Sequence, residues 1–321
     1  MKNILITGGA GFIGRYMSHL YLNKGYSVTI IDNLSTGNLS NVDYLKKKFN
    51  KKIKFLRNDV ESYKYLKKEV KNSAHVIHLA AAVGVKTILD KPIESMKSNL
   101  KSTELILEAC RTYKKPIFFS STSEVYGKSP AKKLIENGDI VYGASKKIRW
   151  SYAASKLLDE FLALSYYNEY NLPVVIGRFF NTVGKYQSSE FGMVIPRFIS
   201  QAKNNKPITV HGSGKQSRTF TDVEEVCMCV YLLMKNKSAY GEVINIGGTD
   251  EIKILDLAKK IVKITNSKSK IKVIPYNKAY SSIYEDMNRR YPSTQKLKKI
   301  IGISPSLKIN DILKKIIQNS D

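Results

Sequence analysis

Thr7-Gly8-Gly9-Ala10-Gly11-Phe12-Ile13-Gly14 stands between an apolar, β-branched run, Asn3–Thr7, and a segment with helical apolar spacing, Phe12–Lys24. Its glycines satisfy two spacings at once: Gly-x-Gly-x-x-Gly at 9, 11 and 14, and Gly-x-x-Gly-x-x-Gly at 8, 11 and 14. The strand before and the helix after give such spacing its meaning. Glycines permit a tight turn and let backbone N–H groups come up to a pyrophosphate at the helix N-terminus. Eighteen residues beyond Gly14 a second run, Ser27–Asp32, ends in a carboxylate. An acid there accepts from the adenosine ribose hydroxyls and repels a 2′-phosphate, which points to NAD rather than NADP.

Outward from this loop the alternation continues. Ile53–Asn58, His75–Ala80 and Pro116–Ser121 read as buried strands, with helical patterns at Ser62–Lys71 and Pro92–Tyr113. Ser151–Tyr170 is a further helix, followed by a strand at Pro173–Phe180. Alternation of this kind implies right-handed βαβ units on a mostly parallel sheet. The expected fold is α/β: a Rossmann-type doubly wound parallel sheet over residues 1–180, with a smaller C-terminal α/β substrate lobe over 181–321. Helical segments at Met193–Asn204, Val223–Lys235 and Ile254–Thr265 belong to the second part. The boundary is soft, and a return of the chain into the first domain is compatible with the pattern.

Composition sets further bounds. The chain has 321 residues, of which 43% are hydrophobic, enough for a substantial core. No apolar run approaches the length of a membrane span, and the N-terminus lacks the layout of a secretory leader. Cys110, Cys227 and Cys229 have no metal-ligand spacing; they fit reduced thiols in a cytoplasmic protein without a metal site. The net charge of +26 prompts a nucleic-acid-binding alternative, with strongly salt-dependent binding. However, the lysines are spread along the chain rather than gathered among exposed aromatics. A positive field instead favours encounter with an anionic small substrate.

Two Tyr-x-x-x-Lys matches occur, Tyr142/Lys146 and Tyr152/Lys156. On a helix, residues four apart share a face, so an ammonium is held near a phenol and favours the phenolate. Such a tyrosine can take the proton of a sugar hydroxyl as hydride leaves the same carbon. Tyr152 opens an amphipathic stretch, whereas Tyr142 lies near Gly138 and Gly143 with no clean helical period before Trp150.

Taken together, these residues resemble the extended short-chain dehydrogenase/reductase family of nucleotide-sugar epimerases, dehydratases and decarboxylases. The likeness spans almost the full chain and rests on residues 7–14, Asp32, HLAAA (78–82), SSTSEVYG (120–127), YAASK (152–156), RFFNTVG (178–184) and GSGKQSRTFTDV (212–223). It selects Tyr152 and Lys156 as the redox pair, with Lys156 also contacting the nicotinamide ribose. It implies NAD contacts at Gly8, Gly11, Phe12, Ile13 and Gly14 in the loop, and at Asp32, Asn33, Asp59 and Val60 on the adenosine side. Leu79, Ala80 and Ala81, together with Tyr152 and Lys156 themselves, complete that set. A homodimer built on the helices at about 93–112 and 151–170 is the family expectation.

The resemblance also bears on the reaction. The residue matching Thr122 hydrogen-bonds the reacting C4 hydroxyl. A 4,6-dehydratase carries Asp-Glu at the next two positions; here the pair is Ser123-Glu124, and serine is a poor acid for a leaving hydroxyl. Simple 4-epimerases usually lack an acid at the second position. Thr-Ser-Glu looks most like the nucleotide-uronate decarboxylases, which implies decarboxylation of UDP-glucuronate, with a UDP-hexose or UDP-uronate 4-epimerase as the alternative. Arg290 matches an arginine implicated in catalysis or anion binding, although neighbouring Arg289 competes for the assignment. Asn181 and Arg218 match positions that hold the substrate's diphosphate and nucleotide. Lys86 follows the HLAAA segment; it either meets a carboxylate or is a solvated loop lysine. The stretch between Gly127 and Tyr152 is longer than in common epimerases.

Overall fold

The computed structural model describes residues 1–81, 90–190, 192–279 and 287–318. The strands are β1 Asn3–Thr7, β2 Ser27–Asp32, β3 Ile53–Arg57, β4 His75–His78, β5 Ile117–Thr122, β6 Val174–Phe179, β7 Thr182–Val183, β8 Ile208–His211, β9 Ser217–Thr219, β10 Thr221–Asp222, β11 Glu242–Ile246, β12 Glu251–Lys253, β13 Ile271–Ile274 and β14 Arg289–Arg290. Seven of them form one parallel sheet in the order β3-β2-β1-β4-β5-β6-β11. This is the Rossmann order extended by one strand, and it reverses direction between β1 and β4, the crevice where such sheets bind ligands.

The runs are continuous because the central strands are covered on both faces. Ile4, Ile6, Ile30, Phe118 and Val175 pack on one side, with Met17 of helix Phe12–Asn23 and Val230 of helix Val223–Leu233. Leu5, Ile31, Phe119, Val174 and Ile176 pack on the other, with Ile106 and Leu107 of helix Pro92–Thr112 and Ala163 of helix Arg149–Tyr170. Successive residues of a strand face opposite ways, so each run supplies both cores.

The chain after residue 180 does not stay apart. Helix Val223–Leu233 packs on Phe12–Asn23, and β11 pairs with β6 from Glu242↔Val175 to Ile246↔Phe179. The remaining C-terminal segments build a third core, in which Phe198, Leu257, Ile261, Ile312 and Leu313 meet. The small sheet β12-β9-β14 sits here and sets Arg290 beside Arg218 in register. Helix Leu39–Phe49, absent from the sequence reading, buries Asn41, Val42 and Leu45. The segment expected to be helical from Ser62 is helical only over Leu66–Lys71.

At the β1/β4 crevice, His78 Nδ1 lies 2.7 Å from Thr7 Oγ1, and its Nε2 has no hydrogen-bond partner among the described residues. Burial, and after it the Lys156 ammonium, pushes the His78 pKa down from 6.5 to about 3. His75, also largely buried, is pushed down to about 4 by burial first and Lys235 second. Each is neutral when folded and takes up a proton near pH 6.5 when unfolded. Their stabilising contribution is therefore full above pH 6.5 and is lost as pH falls toward the folded values. We expect His78 alone to remove about 2 kcal/mol between pH 6.5 and 5. Urea unfolding at pH 7 and 5 measures this, and His78→Gln should flatten the dependence. Equal midpoints for the parent at the two pH values would contradict it.

Candidate active site

The glycine loop is a cradle that side chains would fill. Gly8 has φ +71°, and a Cβ there would lie 2.7 Å from Ala80 N. On Gly14 it would lie 2.2 Å from Gly8 O. Helix Phe12–Asn23 begins at Gly11 with no side-chain cap and no acid in its first turn, so its N–H groups remain available to an anion. Asp32, at the end of β2, accepts from Ala10 N (2.9 Å) and Leu34 N (2.8 Å). Gly11 N–H also acts on this carboxylate, and its remaining acceptor capacity is available to a ribose hydroxyl. Asn33 Nδ2 donates to Asp59 Oδ2 at 2.8 Å, tying the ends of β2 and β3 together. Val60 is buried, while Leu79, Ala80 and Ala81 are partly buried where β4 leaves the sheet. These residues fit a dinucleotide.

Tyr152 and Lys156 stand one turn apart near the start of helix Arg149–Tyr170. Tyr142 and Lys146 lie in the preceding loop, outside any helix. The electrostatics differ from the sequence expectation. The Lys156 ammonium is 3.3 Å from Asp159 Oδ2 and lies over the Phe119 ring, 3.9 Å from its centroid. Its charge is directed to the sheet and to that carboxylate. Burial, then Glu124 and Asp159, raises the Tyr152 pKa, with Arg149 opposing. In this arrangement the phenol is favoured over the phenolate, chiefly because it is buried and then because Glu124 and Asp159 lie near it, with the lysine paired to Asp159.

The strand–turn junction carries the second group. Thr122 ends β5, and its Oγ1 accepts from Glu124 N at 3.3 Å; Ser123 is buried in the turn Ser123–Tyr126. That turn packs against helix Arg149–Tyr170. Arg149 grips Glu124 with both terminal nitrogens, Nη2 lying 2.8 Å from Oε1 and Nη1 donating to Oε2. Arg290 Nη1 adds a third bond to Oε1 at 3.2 Å. Burial by itself raises the Glu124 pKa, but Arg149, Arg290 and, more weakly, Arg218 outweigh it and hold it at about 2. Glu124 is thus a carboxylate at neutral pH, a fixed acceptor with no proton to give.

Arg149 escaped the sequence reading. Its position three residues before Tyr152, on the same helical face, was the available signal, but 53 basic residues blunt any argument from charge. The structure separates Arg290 from Arg289. The Arg289 guanidinium pairs outward with Glu251 through Nε and Nη2, both at 2.7 Å, and donates to Lys132 O. Arg289→Ala is therefore expected to leave turnover within about threefold and to cost no more than about 1 kcal/mol in thermal unfolding. A tenfold loss of turnover would reverse the assignment. The long stretch after Gly127 has a structural part to play: Leu134 N donates to Tyr291 O (2.8 Å) and Ser293 N to Leu134 O (2.7 Å), pinning the chain beside Arg290.

Arg218, on β9, donates to Ser217 O at 2.7 Å, and its side chain is buried. Asn181 adopts φ +35°, and its Nδ2 donates to Thr219 O at 2.8 Å, so its amide braces β9. Lys86 lies outside the described residues. Among the described residues no cluster of three metal-ligating side chains occurs, and no helix is long and apolar enough to cross a membrane.

The fold and the Tyr152/Lys156 helix define an enzyme of the extended short-chain dehydrogenase/reductase class. The sequence profile described as GDP-mannose 4,6 dehydratase matches residues 5–316, and the chain belongs to that family. It is 38% identical over 322 residues to a UDP-N-acetyl-alpha-D-glucosaminuronate decarboxylase of Bacillus cytotoxicus, covering 99% of this chain and 97% of that protein. It is 30% identical over 319 residues to UDP-glucuronic acid decarboxylase 1 of Danio rerio, covering 99% and 72% of the two. The crystal structure of UDP-glucuronic acid 4-epimerase from Bacillus cereus, in complex with UDP-glucuronic acid and NAD, superposes with a TM-score of 0.87 at 29% identity, covering 98% of each chain.

Proposed function

We propose that the protein is a NAD-dependent nucleotide-sugar enzyme that decarboxylates a UDP-linked uronate after oxidising its C4 hydroxyl. The observation that carries this reading is the cluster at Glu124. Guanidiniums from three distant parts of the chain, Arg149, Arg218 and Arg290, act on one carboxylate, leaving an excess of positive charge suited to an anionic sugar. Relatives that are decarboxylases of UDP-uronates support it.

NAD, when bound, supplies the acceptor for the C4 hydride and returns it at the end. Tyr152, once it has lost its own proton to solvent, takes the C4 hydroxyl proton as the phenolate, with the Thr122 hydroxyl as the adjoining hydrogen-bonding group. A C4 ketone makes the uronate a β-keto acid, so the electrons of the C5–carboxyl bond pass into an enolate as CO2 leaves, and a proton taken up from water at C5 restores the ketone that the hydride then reduces. The environment that favours a protonated Tyr152 suits it to donate a hydrogen bond to that enolate oxygen. Arg149 and Arg290 hold the substrate carboxylate, which exchanges for one of the bonds Glu124 now makes. Glu124 remains an acceptor, and Ser123 offers no acid of the strength a 4,6-dehydration needs.

The residues beyond 180 supply Arg218, Arg290 and Asn181 to the substrate side. The buried, free thiols of Cys110, Cys227 and Cys229 accord with a cytoplasmic enzyme, and its partner is a small nucleotide sugar. The chain acts as a homodimer. Ile93, Met96 and Leu100 on one helix and Leu158 and Phe161 on its neighbour are exposed, at 66%, 37%, 37%, 50% and 59%. Their spacing makes one apolar stripe across two packed helices, a surface that a second copy would cover. Phe161→Glu should halve the mass measured by light scattering, and a monomeric parent would overturn the dimer.

The deciding experiment is incubation with NAD and either UDP-glucuronate or UDP-N-acetylglucosaminuronate, assaying CO2. Release of CO2 is expected with at least one of them. Inversion at C4 without CO2 would instead establish the 4-epimerase reading, to which the Bacillus cereus structure gives some weight.

A further inference from the structure

Asp159 has no place in the reaction described above, yet it is a fully buried acid on the catalytic helix, with a side chain 0% exposed. It lies three residues after Lys156 and seven after Tyr152, so all three share one face of helix Arg149–Tyr170. Its ion pair is with Lys156, 3.3 Å away, whose own side chain is 3% exposed. We infer that Asp159 is a positioning residue: it is the counter-ion that fixes Lys156 against the sheet and sets the pH range in which Tyr152 works. This rests on the reading of Tyr152 and Lys156 as the redox pair.

The surroundings leave little else to play this part. From β5, Phe119 presents its ring face to the ammonium at 3.9 Å, and His78 of β4 stacks on that same ring, 5.6 Å between centroids, as a neutral imidazole. Helix Pro92–Thr112 contributes the Thr103 hydroxyl, which favours the ionised form of Asp159. Glu160, the next residue, is engaged by Arg178 (Nη2–Oε2 2.7 Å) and by Ser121. From the strand–turn junction Glu124 acts on Tyr152, but it is bound by Arg149 and Arg290. Asp159 is thus the acid in direct contact with Lys156, and Glu160 acts on that ammonium more weakly. Burial works against both charges, drawing the lysine down and the acid up, and each partner restrains the other's shift.

The sign of the effect follows. The negative charge of Asp159 makes the Tyr152 proton harder to remove and the Lys156 proton harder to lose. In Asp159→Asn, which keeps the volume, both protons should leave at lower pH. The bell-shaped profile of kcat is expected to move by about one unit toward acid, with KM for the nucleotide sugar within about twofold. Asp159→Glu should return the profile toward the parent. A purely structural role predicts lower activity with unmoved limbs in D159N, and that result would overturn the inference. Should D159N not fold, Asp159→Ser, smaller and neutral, reads the same shift. Undiminished turnover in Tyr152→Phe would remove the redox pair itself, a result distinct from an unshifted D159N profile.

Discussion

Tyr152→Phe is expected to lower turnover by about 10³-fold or more while leaving NAD bound. Loss of a positioned proton-transfer group costs about 10²–10⁴-fold, and in the proposed reaction this hydroxyl serves both C4 oxidation and stabilisation of the enolate. Most of the expected cofactor contacts lie elsewhere, in Gly8–Gly14 and at Asp32, and Lys156 is kept, so binding should change little. Equilibrium titration with NAD and single-turnover formation of reduced nicotinamide separate the two effects. Tyr142→Phe is the internal control. The Tyr142 hydroxyl is buried with no hydrogen-bond partner among the described residues, so its removal should be neutral or stabilise by up to about 1 kcal/mol. A severe loss in Tyr142→Phe with a mild one in Tyr152→Phe would mean that the wrong pair had been chosen.

The second large effect concerns Glu124 and Arg149. Their side chains are 15% and 4% exposed, and breaking a pair buried to this degree costs about 3–5 kcal/mol because the survivor keeps its desolvation penalty. Arg290 still holds Glu124 after Arg149→Met, so about 3 kcal/mol is expected, with CO2 release reduced by about 10²-fold. Glu124→Leu should leave three arginines without their acid and cost a similar amount. The double variant should cost less than the two single losses added together, by about 1.5 kcal/mol or more. Urea unfolding at pH 7 is the appropriate measurement. Glu124 titrates at about 2 when folded, against 4.5 ordinarily. Its contribution is therefore complete above pH 4.5 and fades only as pH falls toward 2. Additive losses would show that the pair is not coupled and would remove the reason for assigning Arg149 to the site.

Legibility in the sequence varied from element to element. β1, β2 and β5 stood out because strands covered on both faces need unbroken apolar runs, and the glycine loop because its spacing is fixed by backbone geometry within one turn. Helix Leu39–Phe49 did not, since only a narrow face is buried and Lys46, Lys47 and Lys48 fill its last turn. The run at Glu242–Ile246 is not distinctive in the sequence and falls in the region assigned to the second lobe, where the pattern leaves open a return into the first domain. That it joins the first sheet depends on the edge β6 leaves open, which is settled by distant packing. Arg149 was invisible for a similar reason: nothing local to residue 149 says that Glu124 will face it.

By itself the sequence determined the Rossmann sheet, the dinucleotide loop with its Asp32, and a Tyr-x-x-x-Lys pair beside Thr122-Ser123-Glu124. These are short-range facts, in which residues a few positions apart on a helix or turn are placed by the backbone. The tertiary structure alone decided the charges. It brought Arg149, Arg218 and Arg290 to Glu124 and kept that acid ionised, and it turned Lys156 toward Asp159 rather than leaving its field to Tyr152. Protonation in a buried site depends on the sum over all neighbouring charges and on how much water is excluded, and both are fixed only when segments far apart in the chain are packed together.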